Sequence, residues 1–357
     1  MKSKLNQLYQ SLEAEHKPKI SLSLHFYDTK IRVRTNSENL NTTLKGYFKR
    51  FVSGSNDFDI DIIALETEVP PLDYEFTVKQ PDPGKTKIKE SYADDNQWRI
   101  VKKVLTGMVF MFDGSNNLAI GPCIENANQV VNFINNRFIE HKLKKDFLLF
   151  HSAAVSLGSR GIAISGFSGM GKSTLALEMM GRGMTFVSND RLMVNNTSDG
   201  LFMYGVAKYP RINPGTIVNN ADLIHIISES ERAAFEQMKP DELWQVEQKY
   251  DVFIDDIYGD EKFTISSPME ILIVLNWKRI EKPLNIDEID ISERMDLYPA
   301  FMKTPGLFFH TNDGKVPDIS NERYKAVLQN CRVFELTGGV NFNRAANYFV
   351  DLVRNGG

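Results

Sequence analysis

The stretch Gly161–Asp190, GIAISGFSGMGKSTLALEMMGRGMTFVSND, decides how this chain is read. It opens on GIAIS, a short continuous apolar run of the kind that forms a strand buried on both faces. A glycine-rich turn then leads into STLALEMM, a run of good helix formers closed by Gly181-Arg182-Gly183. Between them Gly166-Phe167-Ser168-Gly169-Met170-Gly171-Lys172-Ser173 fits G-x-x-x-x-G-K-[ST] in full. A loop bent between a strand and a helix can aim successive backbone N–H groups at an anion, and the helix N-terminus adds a partial positive charge. Glycines let the backbone approach a phosphate that closely. On this reading Gly166 to Thr174 hold a nucleotide, Lys172 reaches its β and γ phosphates, and the Ser173 hydroxyl ligates Mg²⁺.

The element after the helix narrows the reading. MTFVS is a second β-rich run, so Asn189 and Asp190 fall at its C-terminal end. Ligands of open α/β sheets sit outside the carboxyl ends of the strands. If this strand pairs beside GIAIS, Asp190 meets Mg²⁺ or the γ-phosphate; the alternative is a solvated turn acid, since Asn-Asp is an ordinary turn pair.

Working outward, the 357 residues leave room for two domains, and 42% hydrophobic with 25% charged residues match an ordinary globular chain. A formal charge of −4 gives no global attraction to nucleic acid or anionic membrane. Cys123 and Cys331 are too few for a disulfide framework, and no histidine spacing suggests a transition-metal site. The first twenty residues have no apolar leader core and no stretch reaches the length of a spanning helix, so a cytoplasmic location is expected.

The residues before Gly161 divide in two. A short helix stopping before Pro18 precedes the alternating run ISLSLHFYDTKIRVRT, expected to be a hairpin around Asp28-Thr29. A helical period in LNTTLKGYFKRFV, an alternating strand in DFDIDIIALE and a proline-rich loop or edge element from Val69 to Ser91 follow. WRIVKKVLTGMVFMFDGSNNLAIG is expected to form two strands around Asp113-Gly114. Residues 1–122 are thus an N-terminal α+β, mainly antiparallel domain. From Glu125, apolar residues on one helical face mark the boundary, and residues 123–357 form the second, α/β domain. There FLLFHSAAVSL and MEILIVLNW read as buried strands, NFNRAANYFVDLV as a closing helix capped by Asn341, and KLKKD as cations at a helix end. Asp255 and Asp256 read as solvated loop acids rather than ligands.

The residues LLFHSAAV and GIAISGFSGMGKSTLALEMMGRGMTFVSND resemble the catalytic core of the bacterial HPr kinase/phosphorylase superfamily, more narrowly its divergent HPr-kinase-related kinases of type B. The resemblance is specific from His151 to Asp190. It implies a P-loop kinase domain of the HPr kinase and phosphoenolpyruvate carboxykinase-like type, ATP with Mg²⁺, and transfer of the γ-phosphate to a hydroxyl. It also implies a serine or threonine of a small protein as acceptor, and a homo-oligomer. Residue by residue it makes His151 the active-site histidine near the phosphates, Lys172 the phosphate-binding lysine, and Ser173 with Asp190 the metal side. Asp190 matches the second of two family aspartates. The first, the family's general base, matches Asn189, which cannot accept a proton. Transfer must then use Asp190 as base or rely on positioning and charge neutralisation, which the loose transition state of phosphoryl transfer allows. The family signature E-I-R-G-L-G has no match; MYGVAKYPRINPG stands there, with Lys208 and Arg211 either supplying positive charge or serving as surface bases. The same core would also suit a kinase of a small molecule, or a nucleotide-binding module with little transfer.

Overall fold

A computed structural model describes residues 4–81, 86–95, 97–246, 248–310 and 317–356. It divides into two units, Met1–Lys145 with Pro305–Pro317, and Asp146–Thr304 with Asp318–Gly357.

The first unit contains α1 (Lys4–His16), β1 (Ile20–Phe26), β2 (Thr29–Thr35), α2 (Glu38–Tyr47), β3 (Ile60–Glu66), β4 (Thr77–Val78), β5 (Glu90–Asp95), β6 (Trp98–Lys103), β7 (Val109–Phe112), β8 (Asn117–Gly121) and α3 (Ala127–Leu143). Its eight strands form one sheet in the order β1-β2-β3-β8-β7-β6-β5-β4, antiparallel except where β3 meets β2 and β8. Alternation along the strands splits the core between two faces. Val109 and Met111 join Leu5, Tyr9 and Leu12 of α1. Phe110, between them, packs instead on Phe133 of α3, with ring centroids 4.8 Å apart.

Three expectations change here. The run from Trp98 to Gly121 forms three strands, because a turn with Gly107 at φ 72° closes β6 onto β7 ahead of the expected hairpin. The division between units falls after α3, not before it, because Phe133 and Phe138 of α3 pack on Phe110 and Phe26 of this unit. Lys142 of KLKKD is fully buried, its ammonium 2.5 and 2.7 Å from the Asp28 carboxylate oxygens. The proline-rich segment holds, among its described residues, the edge strand β4 and the first two residues of β5, and residues 82–85 of it lie outside them.

The second unit begins with β9 (Leu148–Phe150), β10 (Ser152–Leu157), β11 (Arg160–Gly166), α4 (Lys172–Met180), β12 (Thr185–Ser188), β13 (Leu192–Thr197), β14 (Gly200–Gly205) and β15 (Arg211–Ile212). It continues through α5 (Pro214–Val218), α6 (Glu229–Glu236), α7 (Pro240–Gln245), β16 (Tyr250–Asp251), α8 (Ile254–Tyr258), β17 (Ser266–Leu275), β18 (Leu284–Ile289), α9 (Asn321–Val327), β19 (Arg332–Gly338) and α10 (Phe342–Asn355). The strand β17 organises this mixed α/β unit: its first residues pair antiparallel with β14, while its apolar second half lies parallel between β11 and β19. The carboxyl ends of β11, β17 and β19 therefore open at one edge, where α4 and α10 begin. Asn341 caps α10, its side-chain oxygen accepting from Arg344 N at 2.9 Å. FLLFHSAAVSL is two strands, β9 and β10, broken at His151, whose N–H leaves the sheet to donate to Phe301 O at 2.7 Å.

Candidate functional site

The loop from Gly166 to Ser173 joins the end of β11 to the first turn of α4. Gly171 occupies the N-cap of α4 at φ 91°, left-handed backbone that disfavours any side chain. A Cβ there would also meet the ring of Phe342 at 2.5 Å. That ring stands edge-on to Trp277, centroids 5.0 Å apart, and the Trp277 indole donates to Met170 O at 2.9 Å. Two aromatic side chains, from the ends of β17 and β19, thus fix the loop before any ligand arrives.

Lys172 turns back into this loop. It is 9% exposed, and its ammonium donates to Gly166 O at 2.7 Å and more weakly to Phe167 O at 3.4 Å. Burial pushes its pKa down to about 8, against the support of nearby Asp190 and with Lys303 adding repulsion. Phe167, Ser168 and Gly169 are exposed around it, and Ser173 and Thr174 are half-buried on the first turn of α4. The Thr174 hydroxyl lies 2.9 Å from that of Thr216.

A second arm of the site comes from β10 and β12. They pair antiparallel with Ser188 opposite Ala154, so the residue before β10 and the residues after β12 arrive at the same end. His151 Nε2 and Asp190 Oδ1 lie 3.1 Å apart there. The expectation that this strand pairs beside β11 is corrected, because β10 intervenes. Asp190 is still near enough to act on Lys172.

Desolvation disfavours the charge of Asp190, but the hydrogen bond and charge of His151, with Arg191 and Lys303, hold its carboxyl well below the usual carboxylate range. Arg191 Nε is 3.8 Å from Asp190 Oδ2. Lys208 also faces this carboxylate: burial lowers its pKa, Asp190 supports its charge, and Arg191 and Arg211 oppose it. Gly205 lets the end of β14 pass close to β12, since a Cβ there would sit 2.0 Å from Val187 O. Arg211 stands apart in an ion pair with Asp251 at 3.1 Å. The side-chain oxygen of Asn189 is buried and has no hydrogen-bond partner among the described residues.

The site therefore gathers Lys172, Arg191, Lys208 and Lys303 with His151 around one carboxylate, a surplus of positive charge suited to a polyanion. Among the described residues no cluster of three His, Cys, Asp or Glu side chains could hold a metal. Such a sparse donor set fits Mg²⁺, which takes one or two protein oxygens and completes its shell with water and phosphate. Asp255 and Asp256 lie elsewhere, on the short helix α8; contrary to the solvated reading, Asp255 is buried and accepts from the Tyr209 hydroxyl at 3.3 Å. Sequence reasoning missed Lys303, Arg191, Trp277 and Phe342. Arg191 adjoins Asp190 in the chain, whereas nothing local marks the other three.

No protein-family model matches the chain. No curated protein matches it either. Among solved structures it is similar to the Hpr(Ser) kinase/phosphatase from Coxiella burnetii, with 13% identity, 58% of this chain and 89% of that chain covered, and a TM-score of 0.29. An overlap that small decides nothing about this site, which is read from its own residues. No helix among the described residues is long and apolar enough to cross a membrane.

Proposed function

We propose that the protein is an ATP- and Mg²⁺-dependent kinase that transfers the γ-phosphate to a hydroxyl, the acceptor being a serine or threonine of a small protein. The observation that carries this reading is the buried Lys172 ammonium, held inside a glycine-capped strand-to-helix loop and facing an ionised Asp190. A lysine kept charged at neutral pH despite burial is a group waiting for an anion.

The loop amides from Gly166 to Thr174 and the first turn of α4 bind the phosphates. On their arrival Lys172 exchanges the Gly166 carbonyl for phosphate oxygen, a charge-assisted and stronger bond. Lys208, Lys303 and Arg191 neutralise the charge spread over the transferring group, where most of the catalysis of phosphoryl transfer resides. Bound Mg²⁺ supplies further neutralisation of the phosphate oxygens, with Ser173 and Asp190 as its protein ligands and the unpartnered Asn189 oxygen beside them.

Asp190 has so depressed a pKa that it is a weak base. Its main role is charge and position, with His151 fixing the carboxylate's orientation. The acceptor proton is lost late, as the loose transition state permits.

The test is incubation of the protein with γ-labelled ATP, Mg²⁺ and fractionated lysate. A labelled protein band that disappears in Lys172→Ala supports the reading. Label in a small metabolite moves the acceptor to a small molecule, and ATP binding without any transfer leaves a nucleotide-binding module.

A further inference from the structure

We propose that the cavity flanking α4 is the nucleobase subsite of the nucleotide whose phosphates the Gly166–Ser173 loop holds, and that it holds the base by stacking on one face. This inference rests on the function proposed above. The cavity encloses about 610 Å³, within the size range of small-ligand pockets. One wall is the side of α4 that presents Thr174 and Glu178, with Arg182 just past the end of the helix. The facing wall is Phe235, Leu243 and Trp244, from α6 and α7. α5 adds Gly215, Thr216 and Val218, and among the other lining residues Arg279 and Phe342 follow β17 and β19, which run parallel to β11. The cavity therefore lies outside the carboxyl ends of three adjacent parallel strands, where ligands of α/β sheets bind.

It also adjoins the phosphate loop. Thr174 directly follows Ser173, and the Phe342 ring that crowds Gly171 lines the cavity as well. A ligand leaving the loop past the first turn of α4 enters this space.

The chemistry inside suits a flat ring. The Arg279 guanidinium lies 3.3 Å over the Trp244 ring, so their inner faces are closed on each other and a base stacks on an outer face of this cation-and-aromatic pair. The polar groups nearby are already engaged with one another. Glu178 accepts from Arg182 at 2.9 Å and Asn220 at 3.3 Å, and the Asn219 amide donates to Gly215 O at 2.7 Å. Arg182 further donates to Asn347 at 2.6 Å and Asn343 at 2.7 Å. With the hydrogen-bonding edges committed, stacking dominates, and stacking discriminates poorly between bases.

Calorimetric titration of the full chain with ATP, GTP and inorganic tripolyphosphate, each with Mg²⁺, tests this. ATP and GTP should bind within about fivefold of each other and more tightly than tripolyphosphate. Trp244→Ala and Arg279→Ala should each weaken ATP by about five- to a hundredfold and leave tripolyphosphate within about twofold. Should Trp244→Ala fail to fold, Arg279→Ala, at an exposed position, carries the comparison alone. Equal losses for ATP and tripolyphosphate, or no loss for ATP, overturn the subsite. So does a parent protein that binds tripolyphosphate as tightly as ATP, while leaving the phosphate loop intact. A parent that binds neither overturns the proposed function and the subsite with it.

Discussion

The affinity for ATP should fall tenfold between pH 7 and pH 9, and Lys172 is the reason. In the ligand-free site burial holds its pKa near 8, with Asp190 as its supporting charge and Lys303 opposing it. A bound phosphate adds negative charge beside the ammonium and returns the pKa toward its ordinary value of 10.5 or above. The complex thus holds more protons than the free protein between those values, so affinity declines as pH rises through 8. With a free pKa of about 8, the charged fraction drops from roughly ten-elevenths at pH 7 to one-eleventh at pH 9. That is about a tenfold loss, or ~1.4 kcal/mol, with uptake of about half a proton per nucleotide at pH 8. The terminal phosphate, whose second pKa is about 6, is already ionised over this range and does not contribute. Calorimetry in buffers of different ionisation enthalpy reads affinity and proton uptake together. Lys208, also depressed by burial, could add to the slope, so the profile is repeated with Lys208→Gln. A flat profile from pH 7 to 9, or an unchanged slope in Lys172→Met, would refute the placement of this lysine on the phosphates.

Other outcomes follow from the same geometry. Asp190→Asn should lower transfer from γ-labelled ATP by about a hundredfold or more while leaving nucleotide affinity within about fivefold, because the lost carboxylate would hold the metal and order the cations around the transferring group; a rate near the parent's would remove Asp190 from the site. Asn189→Asp should leave single-turnover kinetics largely unchanged, because the acceptor proton is lost late; a clear gain in rate would show that a missing base limits transfer. Gly171→Ala places a Cβ 2.5 Å from the Phe342 ring at φ 91°, so the midpoint of thermal unfolding should drop by several degrees, at about 2–4 °C per kcal/mol, and ATP binding should weaken. An unchanged melt would show that the loop accommodates a side chain there.

The parts of the fold that the chain announces are those with a local cause. GIAISG and the helix after it, the β1–β2 hairpin (turning at Tyr27-Asp28, one residue ahead of the expected Asp28-Thr29), the buried run of β17 and the Asn341 cap each follow from periodicity or from a residue type with one favoured place. What stayed hidden depends on pairing between distant segments. Nothing in MTFVS says that β12 lies against β10 rather than β11, yet that pairing brings Asp190 to His151. Lys303 looks like an ordinary surface base in sequence and Lys208 stays open there between a site cation and a surface base; the fold turns both toward one carboxylate. Lys142 misled in the opposite direction, because a lysine near a helix end is usually solvated, and here Asp28 offsets its complete burial. The division after α3 was similarly illegible, since an amphipathic face does not say which sheet it covers.

The central claim is that the Gly166–Ser173 loop holds the phosphates of ATP through Lys172. Titrating ATP with Mg²⁺ into the parent and into Lys172→Ala measures it directly. The parent should bind saturably and the variant should lose about tenfold or more in affinity, as expected for a buried charge-assisted bond. Absence of binding by the parent, or equal affinity in the two proteins, would contradict it.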